Sequence, residues 1–212
     1  GSVGALGLMY QWGRKDPFLG ASSISENNLA VSTGNWTTNS SQQTVESAGQ
    51  NPTTFICGNY EWCTGDGSGD SNYNLRWKDT EKTMYDPCPV GYRVPKGGED
   101  GLWTTALGTS LSTSSGTTWD SSNKGRNWTL ADGTTAWYPV VGYRYIDRGA
   151  LLDVGSYGDY WSASPDPSNS SSAYYLHFSH GRVYPAYNYN RCSGYSVRCF
   201  REGSDSGSST PD

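Results

Sequence analysis

Charged side chains are scarce in this sequence, and positive charge is not clustered anywhere along it. Asp, Glu, Lys and Arg make up 17% of the 212 residues, and the formal net charge at pH 7 is -5. Phosphate binding needs grouped Lys and Arg side chains that displace counterions. The sequence therefore argues against nucleic acid as the main partner, and it predicts a surface of Ser, Thr, Asn, Gly and Tyr.

Long apolar runs are absent as well. No stretch approaches the roughly 20 apolar residues that are needed to span a bilayer, and the N-terminus lacks the basic start and apolar core of a signal peptide. We therefore expect no direct insertion into a membrane. Gly1 and Ser2 are typical of an expression scar, so the sequence remains compatible with export of a longer parent chain.

Motifs for catalysis and for metal binding are also missing. Both histidines, His177 and His180, fall in one tyrosine-rich segment, and neither a nucleophile elbow nor a metal motif is present. We expect no enzymatic activity, no metal site and no cofactor. Glycoside hydrolysis by a carboxylate pair such as Asp147 and Asp153 stays open as an alternative, because carboxylate separation is a three-dimensional quantity.

Aromatic residues and glycine are abundant instead. The chain has Trp 9, Tyr 16 and Gly 27, although only 34% of all residues are hydrophobic. Its core must therefore be built from large flat rings and turn-rich backbone rather than from aliphatic helix faces. This composition favours a loop-rich β or α+β domain, and the length by itself allows one large or two small domains.

The five cysteines form no CxxC pair, so disulfides explain them better than a zinc site does. We expect Cys88 to pair with Cys199 and Cys57 to pair with Cys63, which leaves Cys192 odd. The sequence alone does not settle this connectivity.

Short apolar runs separated by Gly, Ser, Pro and Asp predict a compact antiparallel system. The runs cover residues 137–144, 160–163, 174–178, 182–184 and 195–201, and a separate apolar stretch at 5–12 is expected to form a buried strand or a short helix. The link at residues 179–182 is typical of a tight hairpin turn, with a positive φ at Gly181. A helical turn is expected at 44–48, and a short helix at 99–107, capped by Asp100, is expected to pack on the sheet.

Three stretches carry a family resemblance: residues 7–18 (GLMYQWGRKDPF), 85–95 (YDPCPVGYRVP) and 194–199 (GYSVRC), together with Tyr160-Trp161-Ser162. In this order they resemble the fibrobacter-type major paralogous domain of Bacteroidetes surface proteins and pilus-associated adhesins. Through that domain the chain is similar to the variable proteins of diversity-generating retroelements. The resemblance implies a C-type-lectin-like α+β fold with short antiparallel strands, few short helices and long loops.

The resemblance also implies that an invariant scaffold presents a varied ligand surface near the C-terminus. Randomised template adenines turn asparagine codons into codons for Tyr, Ser, His, Asp, Cys or Arg, and residues 174–192 are full of this set. Such a surface is paratope-like, because Tyr supplies contact area at low entropy cost while Ser and Asn adapt their hydrogen bonds. The predicted ligand-binding residues are Tyr174, His177, Ser179, His180, Arg182, Tyr184, Tyr187, Asn188, Tyr189, Asn190 and Cys192.

Other residues of the same region are assigned to the scaffold. The alternation of side chains along a strand predicts that Tyr175, Leu176, Phe178 and Val183 point inward. Four tryptophans are expected to pack in the core: Trp12, Trp103, Trp137 and Trp161. Arg93 and Arg198 are expected to make buried or half-buried hydrogen bonds that position the scaffold. The alternative for the tyrosine-rich segment is a polar surface loop with half-buried rings.

Two features depart from the family: an upstream strand of the Met-Asp-Arg-Asn-Leu-Gly type is missing, and the lectin calcium motifs are absent. The fold name therefore does not imply sugar binding. We expect one domain over residues 1–202 and a flexible tail at 203–212.

The expected function is that of an adhesin- or receptor-type domain at the cell surface or outside the cell. Its ligand would be an unknown protein or glycan on another cell, a host or a phage. Two alternatives remain: a structural pilus or surface-assembly subunit without a dedicated ligand, and, less favoured, the glycoside-active enzyme.

Overall fold

The computed structural model describes residues 6–24, 36–65, 76–107, 117–129, 133 and 135–202. Within these ranges the chain is of the α+β class, with fifteen short strands and two six-residue helices. This confirms the predicted class of mostly strands with few short helices. The predicted tail at 203–212 lies outside the described residues.

The helices are α1 (Val45–Gln50) and α2 (Leu102–Leu107). The strands are β1 (Leu8–Gln11), β2 (Phe18–Leu19), β3 (Thr37–Asn39), β4 (Thr54–Ile56), β5 (Tyr92–Arg93), β6 (Thr117–Asp120), β7 (Gly125–Thr129), β8 (Thr135–Pro139), β9 (Tyr143–Arg144), β10 (Leu151–Leu152), β11 (Gly158–Pro165), β12 (Ser172–Phe178), β13 (Val183–Asn190), β14 (Gly194–Val197) and β15 (Phe200–Arg201). In the described ranges no helix is long and apolar enough to cross a membrane.

An eight-stranded sheet organises the fold in the order β10-β9-β14-β11-β12-β13, with β1 added to β14 and β2 added to β1. Its pairs are antiparallel except β11 with β14. Met9 of β1 lies opposite Ser196 of β14, so the two ends of the described chain meet inside this sheet. Three smaller sheets surround it: β15-β5, the parallel pair β3-β4, and β6-β7-β8.

Each face of the large sheet buries its own core, because neighbouring residues of a strand point to opposite sides. Tyr160 packs on one side with Trp103, Trp128 and Tyr138, in a cluster that includes α2 and the β6-β7-β8 sheet. Its neighbour Trp161 packs on the other side, in a cluster with Trp12, Trp77, Tyr175 and Tyr195. The predicted core positions of Trp12, Trp103 and Trp161 are confirmed, whereas Trp137 is only half-buried.

Helix α1 begins at a capping residue, and helix α2 begins directly after a tight turn. Thr44 caps α1, since its hydroxyl oxygen accepts a hydrogen bond from the Ser47 amide at 3.1 Å, so the turn predicted at 44–48 is confirmed and extended. Helix α2 begins at Leu102 and not at residue 99, and Asp100 lies before it in a tight turn. In that turn the Gly101 amide donates to the Gly98 carbonyl at 3.0 Å, and Gly98 has a φ of +81°.

The disulfide between Cys88 and Cys199 is present, as predicted. It joins the segment before β5 to the segment before β15, across a sequence separation of 111 residues. Strands β5 and β15 pair directly beside it, with Arg93 opposite Phe200. The bond therefore anchors the last described strand to the middle of the chain.

The predicted bond between Cys57 and Cys63 is wrong, because neither of these buried thiols belongs to a disulfide. The two side chains belong to different clusters: Cys57 packs with Phe18 and Phe55, whereas Cys63 packs with Trp62. The Cys63 thiol instead donates to the carbonyl of Gly65 at 3.0 Å. Closeness along the chain does not place two thiols on the same side of the backbone.

This disulfide pattern predicts a specific thiol count. Unfolding in urea without reductant and alkylation with iodoacetamide should modify three cysteines per chain, namely Cys57, Cys63 and Cys192, and prior reduction should raise the number to five. Intact-mass analysis reads both numbers. One modified cysteine without reductant would contradict the pattern, since it would require a second disulfide.

The hairpin between β12 and β13 is present, with Phe178 opposite Val183 and four residues between them. Its turn is closed by a hydrogen bond from the Ser179 amide to the Arg182 carbonyl at 2.9 Å. The positive φ predicted at Gly181 is wrong. A four-residue loop is usually built on a type I turn, which does not need a left-handed residue at that place.

Candidate functional site on the tyrosine-rich strands

Strands β12 and β13 hold most of the predicted ligand-binding residues, and the structure divides these residues into separate places. His177, Tyr184, Tyr187 and Tyr189 lie on one face of the sheet. There they join the partly exposed Tyr157 and the buried Tyr175. We call these six rings the ring face: Tyr157, Tyr175, His177, Tyr184, Tyr187 and Tyr189.

A β-bulge in β13 brings Tyr184 and Tyr187 together. Strict alternation would place these two residues on opposite faces, because they are three positions apart. Tyr175 lies opposite Tyr187 and His177 lies opposite Tyr184, so β13 carries one extra residue between these pairs. Pro185, which lacks an N–H group, sits within this irregular stretch. The Tyr184 and Tyr187 rings are consequently 5.3 Å apart, with 26° between their planes.

His177 is the centre of the ring face. Its ring centroid lies 5.1 Å from that of Tyr157 and 5.8 Å from those of both Tyr184 and Tyr187. Tyr157 is 37% exposed and Tyr187 is 48% exposed, so the outer rings reach solvent. Aromatic rings at these separations support one another, which makes the surface rigid as well as accessible.

A buried layer of rings supports the ring face from below. Tyr195 lies 4.7 Å from Tyr175 and stacks on Trp161 at 4.3 Å. Burial raises the pKa of Tyr175 and of Tyr195 well above the usual range, so both hydroxyls stay neutral. Tyr189 packs on the outer side of Tyr195 at 6.4 Å. The exposed rings therefore rest on a closely packed floor.

A buried carboxylate orients His177. The Nδ1 atom of His177 lies 2.7 Å from Oδ1 of Asp159, which is buried in β11 opposite His177 of β12. Burial raises the pKa of Asp159, and the hydrogen bond with His177 opposes this rise. Because Nδ1 is held by the carboxylate, Nε2 is the ring nitrogen that remains for a ligand.

Tyr174 and Asn188 lie opposite each other on β12 and β13, on the side of the sheet away from the ring face. The Tyr174 ring packs against Gly98, where an added Cβ would lie 3.2 Å from it. Asn188 donates its side-chain amide to the carboxylate of Asp166. These two predicted residues form a second, separate surface.

The hairpin tip holds Ser179, His180 and Arg182. The buried guanidinium of Arg126 donates to the carbonyls of Ser179 at 2.7 Å and of His180 at 2.8 Å, and this fixes the tip to β7. A groove of about 510 Å³ separates the tip from the turn that carries Tyr157. Since Tyr157 lines both, the groove continues the ring face.

The predicted segment ends in buried scaffold. Asn190 is half-buried, and Cys192 is fully buried with its thiol 2.7 Å from the Ile56 carbonyl. The prediction that Cys192 contributes to the exposed surface is therefore wrong. Arg191 is fully buried too, and its amide and Nε donate to the carbonyls of Ser171 and Ser172, both at 2.9 Å. The exposed part of the segment stops at Asn190.

Behind Arg191 lies a buried stack of alternating guanidinium and indole groups. Its members in order are Arg191, Trp12, Arg76, Trp62 and Arg14, with guanidinium-to-ring distances of 4.5, 4.9, 4.9 and 5.5 Å. Cation–π contacts of this kind gain strength when they are desolvated.

The carboxylate of Glu61 joins two members of this arginine stack. Its Oε2 accepts from Arg76 at 2.9 Å and from Arg191 at 3.3 Å, and Oε1 accepts from the Cys63 amide at 3.1 Å. Glu61 is buried together with both arginines. The end of β13 is thereby tied to the N-terminal part of the chain.

Sequence reasoning missed Tyr157, which belongs to the ring face, and Asp159, which orients His177. A signal for Asp159 is present, since a single acidic residue directly precedes the buried run Tyr160-Trp161-Ser162. Burying a carboxylate is costly unless it accepts hydrogen bonds, so an acidic residue at this place indicates a hydrogen-bond partner on a neighbouring strand. Tyr157 has no comparable local signal, because it lies in a turn.

The arginine predictions have mixed outcomes. Arg93 is half-buried and donates to the Asp79 carbonyl at 2.8 Å, as expected. Arg198 is exposed, and the prediction of buried hydrogen bonds is wrong for it. Strand β14 ends at Val197, and the Arg198 guanidinium lies 4.7 Å above the Tyr138 ring. Among the residues that the structure describes, no group of three or more His, Cys, Asp or Glu side chains is arranged to hold a metal ion.

Comparison of the chain with protein-family models, with curated proteins and with solved structures found no match.

Proposed function

We propose that this chain is a ligand-binding domain with a C-type-lectin-like fold, and that it is the variable protein of a diversity-generating retroelement. The observation that carries the proposal is the ring face. Four residues of the segment whose composition matches adenine randomisation converge there on a rigid floor: His177, Tyr184, Tyr187 and Tyr189. Tyrosine-rich surfaces of this kind bind with little loss of side-chain entropy.

The division between fixed and exposed residues supports this function. Arg191 and Arg126 are buried and hold the two ends of the hairpin strand, whereas Tyr184 and Tyr187 reach solvent. A surface on such a support is ordered before the ligand arrives, which lowers the entropic cost of binding. Substitution of the exposed rings then changes what is bound without changing the fold.

The arrangement of the resembling stretches supports the proposed fold. Residues 7–18 and 194–199 meet through the pairing of β1 with β14. Tyr160 also pairs with Ser196, and the Trp161 indole N–H donates to the Tyr10 carbonyl at 2.8 Å. The Cys88–Cys199 bond links the stretch at 85–95 to the same place. Four separate pieces of the motif thus form one scaffold.

We propose that the domain acts at the cell surface or outside the cell, and that its ligand is a protein or glycan on another cell, a host or a phage. The disulfide supports this location, because such bonds persist in oxidising compartments. The site is proposed for binding and not for catalysis, since tyrosine rings and one oriented imidazole make up the exposed surface.

A protein and glycan array tests the proposed face directly. The fluorescently labelled chain should bind a small number of spots, and the double variant Tyr184→Ala, Tyr187→Ala should lose at least about 100-fold in affinity, because a few buried ring anchors carry most binding energy. The melting temperature should fall by only a few degrees. Tyr92→Ala is the matched control, since Tyr92 is 43% exposed and lies on β5, in a sheet separate from the one that carries the ring face. Equal binding by the double variant and the wild type would overturn the proposal.

An assembly role remains the second candidate, because β13 lies at the end of the sheet order and presents a strand edge. Sequencing of sibling genes and of the neighbouring locus separates the two functions. Ligand capture predicts a reverse transcriptase, a template repeat, and variation confined to exposed positions within 174–190, with Arg191 constant. Divergence spread evenly along the chain supports assembly instead.

A further inference from the structure

An apolar cleft of about 240 Å³ lies between α2, the strands β7 and β8, and the segment at 198–200. Its walls are mainly rings and aliphatic side chains, among them Trp103, Leu107, Trp128, Tyr138 and Phe200. None of its lining residues belongs to the ring face. The cleft is therefore a separate feature that the proposed function leaves unexplained.

Ring contacts and the disulfide hold the walls of the cleft in place. Trp128 lies 5.6 Å from Tyr138 with 72° between the ring planes, and Trp103 lies 6.4 Å from Phe200 with 81° between them. Cys199, which is also in the wall, is bonded to Cys88. Preformed apolar sites of this type bind small molecules with little rearrangement.

Three side chains in the lining of the cleft carry N–H donors: Trp103, Trp128 and Arg198. The indole N–H of Trp128 is buried and has no hydrogen-bond partner among the described residues. The indole N–H of Trp103 reaches the Tyr138 hydroxyl only at 3.5 Å. The guanidinium of Arg198 stands over the Tyr138 ring, and the lining contains no Asp or Glu. Buried donors without acceptors are rare in native proteins, so each one calls for an explanation.

We propose that this cleft binds a small apolar carboxylate, with its hydrocarbon body between the tryptophan rings and its carboxylate on Arg198. An apolar cavity on the order of 150 Å³ is known to accept benzene, so this cleft has room for about two fused rings or a chain of roughly eight carbons. The ligand's oxygens supply the acceptors that Arg198 and the Trp128 indole lack. A purely apolar ligand, which has no oxygen atoms, would leave those donors without partners.

Matched pairs of probes test both halves of the proposal. The probes are 1-naphthoate with 1-naphthalenemethanol, and octanoate with 1-octanol, titrated by calorimetry and by NMR of the indole N–H signals. Each carboxylate should bind once per chain, at least about tenfold more tightly than its alcohol, and should shift the Trp128 signal. Arg198→Met should remove this preference while the affinity for the alcohol stays the same. Arg182→Met, an exposed arginine at the hairpin tip, is the control and should change neither value.

A second variant tests the location of the site. Ala106 is exposed at the rim of the cleft, so Ala106→Trp should fill the cleft without disturbing the fold and abolish binding of both carboxylates. Three results would overturn the proposal: no carboxylate binding, equal affinity for carboxylate and alcohol, or binding that Ala106→Trp and Arg198→Met leave unchanged. None of these results depends on the ring face, so the two proposals fail separately.

Discussion

Replacement of Glu61 by Gln is expected to destabilise the protein by about 3–5 kcal/mol, the range found when one partner of a buried ion pair is removed. Glu61 is buried and accepts hydrogen bonds from Arg76 and Arg191, which are both fully buried. Glutamine keeps the shape of the side chain but removes the negative charge, and its amide presents donors to two guanidinium groups. Two buried arginines would then lose the carboxylate that each of them contacts.

Urea unfolding followed by tryptophan fluorescence measures this loss as a lower midpoint at unchanged slope. Glu81→Gln is the matched control, because Glu81 pairs with Lys78 at 2.6 Å on the exposed surface. Water and salt screen such a pair, so the midpoint should stay the same. If Glu61→Gln left the midpoint unchanged as well, the arginine stack would not need its carboxylate.

Removal of the Cys88–Cys199 bond should cost about 4–5 kcal/mol, because the chain-entropy model assigns roughly 4.7 kcal/mol to a closed loop of about 100 residues. The bond closes a loop with a sequence separation of 111 residues. It also anchors β15, which pairs with β5 beside it. The double variant Cys88→Ser, Cys199→Ser should therefore unfold at a markedly lower urea concentration.

Reductant provides the control for this experiment. Dithiothreitol should lower the midpoint of the wild type to that of the double variant, and it should not affect the double variant itself, since none of the remaining three cysteines is in a disulfide. If the wild type kept its midpoint after full reduction of the bond, the loss in the double variant would come from packing at the two sites and not from the bond.

Neither Glu61→Gln nor the double cysteine variant changes a residue of the ring face. These two experiments therefore test the stability of the scaffold separately from ligand binding. The arginine stack fixes the end of β13 through Arg191, and the disulfide fixes the last described strand, β15, to the middle of the chain. We expect both variants to bind the array spots normally under conditions where they are folded. Variants of Tyr184 and Tyr187 should show the reverse pattern, with normal stability and lost binding.

Part of the candidate site follows from the order of residue types. Four residues of β12 and β13 are predicted to point inward, and all four are buried: Tyr175, Leu176, Phe178 and Val183. Leu176, Phe178 and Val183 share one core, and the two-residue repeat of a strand explains why Leu176 and Phe178 lie on the same face. Tyr175 is next to Leu176 and is buried on the opposite face, as part of the ring face. The abundance of rings and glycine likewise points to the α+β class with ring-filled cores, which the structure confirms.

Other features depend on pairings that no local pattern contains. The bulge in β13 places Tyr184 beside Tyr187, against the alternation of the strand, because register is set between strands and not along one of them. The bond between Asp159 and His177 also joins two strands. Cys192 is one of the predicted ligand-binding residues, yet it is buried against Ile56, 136 positions away in sequence.

Composition and short-range order therefore determine the kind of surface this chain presents, a tyrosine-rich sheet face on a ring-filled core. Long-range packing determines which rings reach solvent together. The bulge sets the pairing of β13 with β12 and so brings Tyr184 beside Tyr187, and the arginine stack holds the end of β13 on the N-terminal part of the chain. Long-range packing also creates the cleft beside Arg198, whose walls come from α2, two strands and the segment next to the disulfide. Local propensity operates over a few residues, whereas burial and strand register are properties of the folded whole.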